Sequence, residues 1–339
     1  MLPAYGLYTH IRANEFRSRA LVAGLFGLVL LLAFALALMV RATSLSLPSG
    51  APPTLSSYLH AAFHDMLWVG PLAALATLAW LLVAYRFHGA MIDRATGARR
   101  VTRAEAPRLH TLLETLCIAR GLPMPGLAIV DDPALNAYAT GLNPSQYAIT
   151  VTRGLLAALT DAEMEAVLAH ELTHIRNDDV RTMMIAVVVA GIFAFVGEIV
   201  FRSGLDLGRS SGDRKNRGGA LPALMIGIVL IGVVWLLSQV IRFALSRSRE
   251  YVADAGAVEL TKNPDALITA LVKIAGRGEL PGVPSGVMEL CVDNPRSGFR
   301  DFLATHPSID DRIAALTRYA GGRAPAPSLA VTPWGSPAP

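Results

Sequence analysis

His170-Glu171-Leu172-Thr173-His174 has the HExxH spacing that builds a hydrolytic zinc site. On a helix, positions i and i+4 lie one above the other, so the two imidazoles can grip one metal ion. Glu171, beside them, is placed to take a proton from a water molecule activated by that metal. The pentapeptide alone is a weak signal, since roughly one chain in a hundred of this size carries it by chance. The alternative is a surface helix with two unrelated histidines. The neighbouring residues put the motif on a helix. Thr160-Asp161-Ala162-Glu163 is a capping-box start, and Met164, Val167, Leu168, Leu172 and Ile175 follow at helical spacing. The polar run Arg176-Asn177-Asp178-Asp179 marks the far edge.

A catalytic zinc takes three protein ligands and leaves a fourth position for water. The chain has eight histidines, and His60 and His64 are expected on the opposite side of a membrane from the motif. A better third ligand lies in Ser246-Arg247-Ser248-Arg249-Glu250-Tyr251-Val252-Ala253-Asp254-Ala255, where Glu250 and Asp254 are i, i+4 on one helical face. Glu250 can bind the metal while Asp254 accepts the other ring N–H of a ligating histidine, fixing its tautomer. A solvated helix face is the competing reading of such a pair.

The elements that carry these residues belong to a membrane protein. Of 339 residues, 53% are hydrophobic and only 17% charged, with mean hydropathy +0.45. Four stretches are long enough to span a bilayer: Ala20–Val40, Leu67–Tyr85, Met183–Phe201 and Leu221–Val240. The first follows Arg12, Arg17 and Arg19, as a signal peptide would, but its apolar run favours a retained anchor. Arginines cluster before the first span and through Arg86–Arg181, whereas Arg41–Met66 has one arginine at its edge and no lysine. By the positive-inside rule, the N-terminus and the middle segment are cytoplasmic. Arg202, Arg209, Arg214, Lys215 and Arg217 break that pattern, so the last two apolar segments either export a charged loop or form a hairpin that does not fully cross.

The net charge of +4 and pI near 9.3 then reflect membrane topology rather than nucleic-acid binding, and no nucleic-acid motif is present. Cys117 and Cys291 are too few for a disulfide framework or a thiolate zinc site. No internal repeat or phosphate-cradling glycine loop is found.

Between the second and third spans, Arg103–Ala119 reads as an amphipathic helix carrying Leu109, Leu112, Leu113 and Leu116. Leu127–Val130, Ala137–Thr140 and Ala148–Thr152 read as three short strands separated by turn chemistry. Helical patterns follow around Ser246–Glu259, Pro264–Ala275 and Ile309–Tyr319. The proline-rich tail Gly321–Pro339 and the loop Ser203–Ala220 are expected to be disordered.

His170–His174, Ser246–Ala255, Asn136-Ala137-Tyr138-Ala139-Thr140-Gly141 and Thr305-His306-Pro307-Ser308-Ile309-Asp310-Asp311-Arg312-Ile313 occur together and in this order. In this the chain resembles the HtpX-type integral-membrane zinc metalloproteases, relatives of the CAAX prenyl endopeptidases, over about Arg103 to Leu316. The resemblance implies a gluzincin site with one Zn2+ per chain, held by His170, His174 and Glu250. It makes Glu171 the general base and Asp254 the partner of a ligating histidine. It also implies polypeptide substrates, cytoplasmic action in bacterial protein quality control and stress response, and residence in the inner membrane. Asn136, Ala137, Tyr138 and Ala139 look like the family's edge strand, which would bind an extended peptide by β-augmentation; an ordinary interior strand is the alternative. His306 is a candidate oxyanion donor or reversible fourth ligand, or a helix-start histidine packing a loop. Arg312 either orients substrate or pairs with Asp310 or Asp311. Glu198, in an apolar span, is a functional candidate or a snorkelling interfacial residue.

The expected fold is membrane α+β: about four transmembrane helices and a mainly helical cytoplasmic zinc-protease domain with a small β-sheet. Its parts are a membrane hairpin in 1–86, the first half of the protease domain in 87–182 and a second hairpin in 183–240. The second half of the domain follows in 241–320, then the tail in 321–339. A catalytically silent zinc scaffold or holdase, an intramembrane site-2-type protease and a transporter with an accidental motif are the competing readings. Asp161, Glu163, Glu165 and Arg176 around the motif speak against an intramembrane site, and an intact Glu171 against a silent one. The chain carries no readable sign of oligomeric state.

Overall fold

The computed structural model describes residues 7–43, 54–185, 219–288, 290–294 and 307–323. In chain order the elements are α1 (Leu7–Thr43), α2 (Leu55–Thr96), β1 (Arg99–Arg100), α3 (Pro107–Arg120), β2 (Gly126–Val130), β3 (Ala137–Thr140), β4 (Ala148–Thr152), α4 (Arg153–Ala158) and α5 (Asp161–Arg176). A helical run over 179–185, here α6, is followed by α7 (Ala220–Thr261), α8 (Pro264–Ile274), α9 (Ser285–Met288) and α10 (Ile309–Ala320). The chain forms two compact units, one of residues 1–91 and 181–245, the other of residues 92–180 and 246–339. The boundaries fall at 91/92, 180/181 and 245/246, against the expected 86/87, 182/183 and 240/241.

In the first unit, three helical stretches among the described residues are long and apolar enough to cross a membrane: Ala23–Thr43, Leu55–Thr96 and Ala220–Ser238. The expected span 183–201 lies outside the described residues beyond Ile185, as do the loop 203–218 and the tail 324–339. Leu25, Leu28, Val29 and Leu32 of α1 pack with Val234 of α7, and Leu38 and Ala42 pack with Tyr58, Ala62, Ala220 and Ala223. Small residues permit this closeness. A Cβ added at Gly227 would come within 2.5 Å of Met39 Cγ. Arg41 ties α1 to α2 by a two-pronged ion pair with Asp65, at 2.7 and 2.6 Å. Leu67, Trp68, Leu72 and Leu75 of α2 and Leu221, Met225 and Val229 of α7 face outward, as lipid-facing residues must.

The second unit is built on a four-stranded mixed sheet in the order β1-β2-β4-β3. β2 and β4 run parallel, Leu127 opposite Ile149 and Ile129 opposite Val151, and β3 pairs antiparallel with β4, Tyr138 opposite Thr150. Every residue of β4 is buried, because α5 packs against β3 and β4 while α3 and α8 pack against α5. α5 starts as its sequence requires. Thr160 accepts the Glu163 N–H, and the Glu163 carboxylate reaches back to the Thr160 N–H at 2.8 Å. Lys273 of α8 clamps the same carboxylate at 2.7 Å. α3 begins at Pro107, not at Arg103 as the periodicity suggested, because Thr102–Glu105 closes a turn and Pro at the first helical position has no N–H to satisfy. It ends at Gly121 in the left-handed conformation, φ +64.

α7 continues without a break from its apolar stretch to Thr261, and its last part lies close against α5. Gly256 makes this approach possible, since a Cβ there would collide with the Thr173 side chain. Replacing Gly256 by Ala should therefore force α7 away from α5 and cost about 1–3 kcal/mol of stability. Thermal unfolding of the purified variant checks this; an unchanged midpoint would mean that Thr173 yields freely.

Candidate metal centre

α5 and α7 bring together the residues that the motif and the Glu250–Asp254 pair singled out. The His170 and His174 Nε2 atoms are 3.1 Å apart, and each is 3.5 Å from one Glu250 carboxylate oxygen. Ligand atoms about 2.0–2.1 Å from one tetrahedral zinc lie roughly 3.3–3.4 Å from each other, so this triangle has the size such an ion requires. Within the described residues it is the group of three or more metal-ligating side chains that could hold an ion, and all three are buried. The two rings stand nearly perpendicular, at 88°, with their centroids 4.7 Å apart.

The Nδ1 atoms face carboxylates. His170 Nδ1 is 2.9 Å from Asp254 Oδ1, and His174 Nδ1 is 3.1 Å from Asp179 Oδ2. With each Nδ1–H donated to a carboxylate, each Nε2 keeps its lone pair for a metal. Arg312 from α10 grips Asp254 through Nε at 2.9 Å and Nη2 at 2.7 Å, and its Nη1 is 3.5 Å from Glu250. Arg312 pairs with Asp254, then, and not with Asp310 or Asp311. At 1% exposure it is among the largest fully buried side chains.

The cluster is electrically incomplete. Glu171, Asp179, Glu250 and Asp254 are four buried carboxylates, while Arg249 and Arg312 are two buried guanidinium groups. With neutral imidazoles, two negative charges remain among the described residues, which is the charge one divalent cation cancels. Without a cation, protons take that part. Burial alone would lower the His170 pKa, but the hydrogen bonds it donates to Asp254 and Glu250 outweigh it and lift the ring to about 9. Burial pushes the Glu171 carboxyl up, against the pull of His170 and His174. Burial would also raise Asp254, but the Arg312 charge and His170 hold it below the ordinary carboxylate range.

The remaining candidates divide. β3 is the last strand of the sheet, its outward side bridged at Tyr138 to Cys291, and the Asn136 side chain is turned inward. Its Nδ2 donates to the Gly278 and Asp293 carbonyls at 2.6 and 2.8 Å, and its Oδ1 accepts from Ala137 N, so it ties β3 to the 276–294 region. Tyr138 turns a buried hydroxyl to Thr96 at 2.8 Å. Thr152 N donates to Asn136 O, which sets the alternation so that Ala137 and Ala139 present their backbone groups away from β4. Val292 N already bonds Ala137 O. His306 and Glu198 lie outside the described residues. Asp179 escaped the sequence reading, which saw only a polar edge there; its signal was a carboxylate just beyond the helix end, five residues after His174. α5, at 16 residues, is not among the described helices long and apolar enough to cross a membrane.

A membrane-anchored chain with a helix-borne HExxH, a carboxylate ligand candidate from a second helix and a small mixed sheet defines an integral-membrane metallopeptidase. Comparison with known proteins agrees. The model of peptidase family M48 matches residues 103–320, and the chain belongs to that family. The "Protease HtpX homolog" of Bacteroides fragilis is 42% identical over 252 residues, covering 71% of this chain and 78% of that one. The "Protease HtpX homolog" of Listeria monocytogenes is 33% identical over 323 residues, covering 91% and 99%. The crystal structure of S. mikatae Ste24p superposes with a TM-score of 0.47 at 21% identity, over 75% of this chain and 60% of that one. This protein is thus a membrane metalloprotease that acts on polypeptides.

Two measurements follow from the geometry. The folded His170 pKa lies above its ordinary 6.5, so its contribution to the stability of metal-free protein is complete below about pH 6.5 and is lost as pH rises through about 9. Metal binding has to expel that proton, so apparent metal affinity should climb with pH up to about 9, with proton release measurable in weak buffer near pH 7. Binding at pH 7 without proton release would contradict the cluster as described. Asn136→Ala should cost several kcal/mol of stability, about 1–3 for each buried partner left unpaired. A variant with full thermal stability and only a raised KM would return Asn136 to substrate binding.

Proposed function

We propose that this chain is a zinc-dependent endopeptidase that cleaves misfolded and membrane polypeptides at the cytoplasmic face of a bacterial inner membrane, as part of protein quality control and stress response. His170, His174 and Glu250 would hold one Zn2+ per chain, and Glu171 would be the general base. The observation that carries this reading is the buried triangle of two Nε2 atoms and a carboxylate, with Glu171 buried beside it. Two imidazoles and one carboxylate are a donor set suited to zinc. When bound, zinc supplies Lewis acidity toward water and the scissile carbonyl.

The chain's own residues do the rest. Glu171 takes the proton of the attacking water and hands it to the leaving amine. The burial that raises its pKa also makes it a better base than an exposed carboxylate. Asp254 keeps the His170 lone pair on Nε2, and Arg312 holds Asp254 in place. An extended substrate would pair with the outward edge of β3, displacing the bridge that Tyr138 makes with Cys291 there. The cytoplasmic assignment rests on the arginines of 86–181 set against the single Arg41 between the first two spans. The quality-control role rests on the resemblance of the motif set.

Two experiments test this. Glu171→Gln leaves all three proposed ligands intact but cannot accept a proton. It should keep about one zinc per chain and lose proteolysis of a casein or membrane-protein substrate by several orders of magnitude. Glu250→Gln should instead lose metal affinity; zinc retained as tightly as in wild type would remove Glu250 from the site. For topology, single cysteines at exposed Ser56 and Lys262, with Cys117 and Cys291 changed to Ala, should react with an impermeant maleimide from opposite sides. Lys262→Cys labelled from outside intact cells would overturn the cytoplasmic orientation.

A further inference from the structure

We propose that Asp179 is the residue that positions His174 for metal binding, doing for that ring what Asp254 does for His170. The inference rests on the reading of His174 as a metal ligand.

Asp179 is five residues beyond His174. On an uninterrupted α-helix, that spacing turns a side chain roughly 140° away from its partner, so no contact would be possible. The helix is interrupted at the right place. α5 ends at Arg176; Asn177 N still bonds Thr173 O, and Asp178 then adopts the left-handed conformation at φ +59. That conformation costs most residues 1–2 kcal/mol, and Asp is among the few that visit it routinely. The Tyr147 hydroxyl donates to Asp178 Oδ1 at 3.2 Å and steadies the turn. The reversal brings Asp179, the first residue of α6, back beneath α5, where Oδ2 meets His174 Nδ1 at 3.1 Å. Asp179 is 1% exposed. Its own carbonyl accepts from Arg249 Nη1 at 3.4 Å, and Arg249 immediately precedes Glu250 on α7.

The consequence is chemical. An imidazole in contact with its neighbours only through Nε2 could carry its proton on either nitrogen. A carboxylate on Nδ1 keeps the proton there and leaves the Nε2 lone pair directed at His170 Nε2 and Glu250 Oε1. It also makes the ring a stronger donor. The left-handed turn at Asp178 therefore serves the site, since a straight continuation of α5 would leave His174 without its acceptor.

The test is zinc affinity of the detergent-purified full chain, measured by competition with a chromophoric chelator, together with the visible spectrum of the Co2+-loaded protein and thermal unfolding without metal. Asp179→Ala should weaken zinc binding about 10–100-fold with the metal-free fold intact and should alter the Co2+ spectrum. Asp179→Asn keeps an oxygen that can accept the Nδ1–H and should recover most of that loss. Wild-type affinity in Asp179→Ala would overturn the proposal, and so would equal losses in the Ala and Asn variants. His174→Ala separates the premise: if it bound zinc as tightly as wild type, His174 would not be a ligand at all. Where Asp179→Ala does not fold, Asp179→Glu decides. It keeps the charge but displaces the acceptor by one methylene, so weakened binding supports the role and wild-type binding refutes it.

Discussion

Two imidazole lone pairs and a carboxylate converge on one buried point, where buried carboxylates outnumber buried guanidinium groups among the described residues. Four carboxylates against two guanidinium groups in a dry environment is an arrangement that folding alone would disfavour. A divalent cation resolves it, and most of the second unit can be understood as the frame that keeps this cluster intact. The capping box fixes where α5 starts, Gly256 lets α7 come close enough to deliver Glu250 and Asp254, and Arg312 comes from α10 to hold Asp254.

The same cluster keeps the metal-ligating candidates apart from the proposed base. His170, His174 and Glu250 form the triangle, while Glu171, next to His170 in sequence, is buried but is not one of its three members. Its proton affinity is raised by burial, which would suit the proposed role of taking a proton and giving it up again. The carboxylates on the two Nδ1 atoms come from different elements, one from α7 and one from the start of α6. Metal binding therefore stabilises the packing of three helices at once, and metal affinity and fold stability are linked quantities.

Local signals were the legible part of the sequence. Thr160 and Glu163 announced α5 to the residue, and Ala137–Thr140 and Ala148–Thr152 are strands over the expected ranges, because turn residues bound them. Strand order was not legible: β1 is two exposed arginines with no apolar pattern, and the parallel pairing of β2 with β4 depends on the whole unit. The apolar pattern located three of the four expected spans among the described residues but not the helix ends, since α2 and α7 run 42 residues each and continue past their apolar stretches. The expected pair Glu250–Asp254 lies in the site because i, i+4 spacing is local. Arg312 and Asp179 could not be assigned in the same way. One arrives from 58 residues beyond Asp254, and the other depends on a single left-handed residue. The buried partners of the Asn136 side chain at Gly278 and Asp293 were not legible either, since they lie 142 and 157 residues away in the chain.

X-ray absorption at the metal edge of zinc-loaded protein tests the central claim most directly. A site made by His170, His174 and Glu250 predicts a shell of nitrogen and oxygen only, about four atoms near 2.0–2.1 Å, with outer-shell scattering from two imidazole rings. A sulfur at about 2.3 Å, which only a cysteine or methionine could supply, or scattering from fewer than two imidazoles, would contradict it.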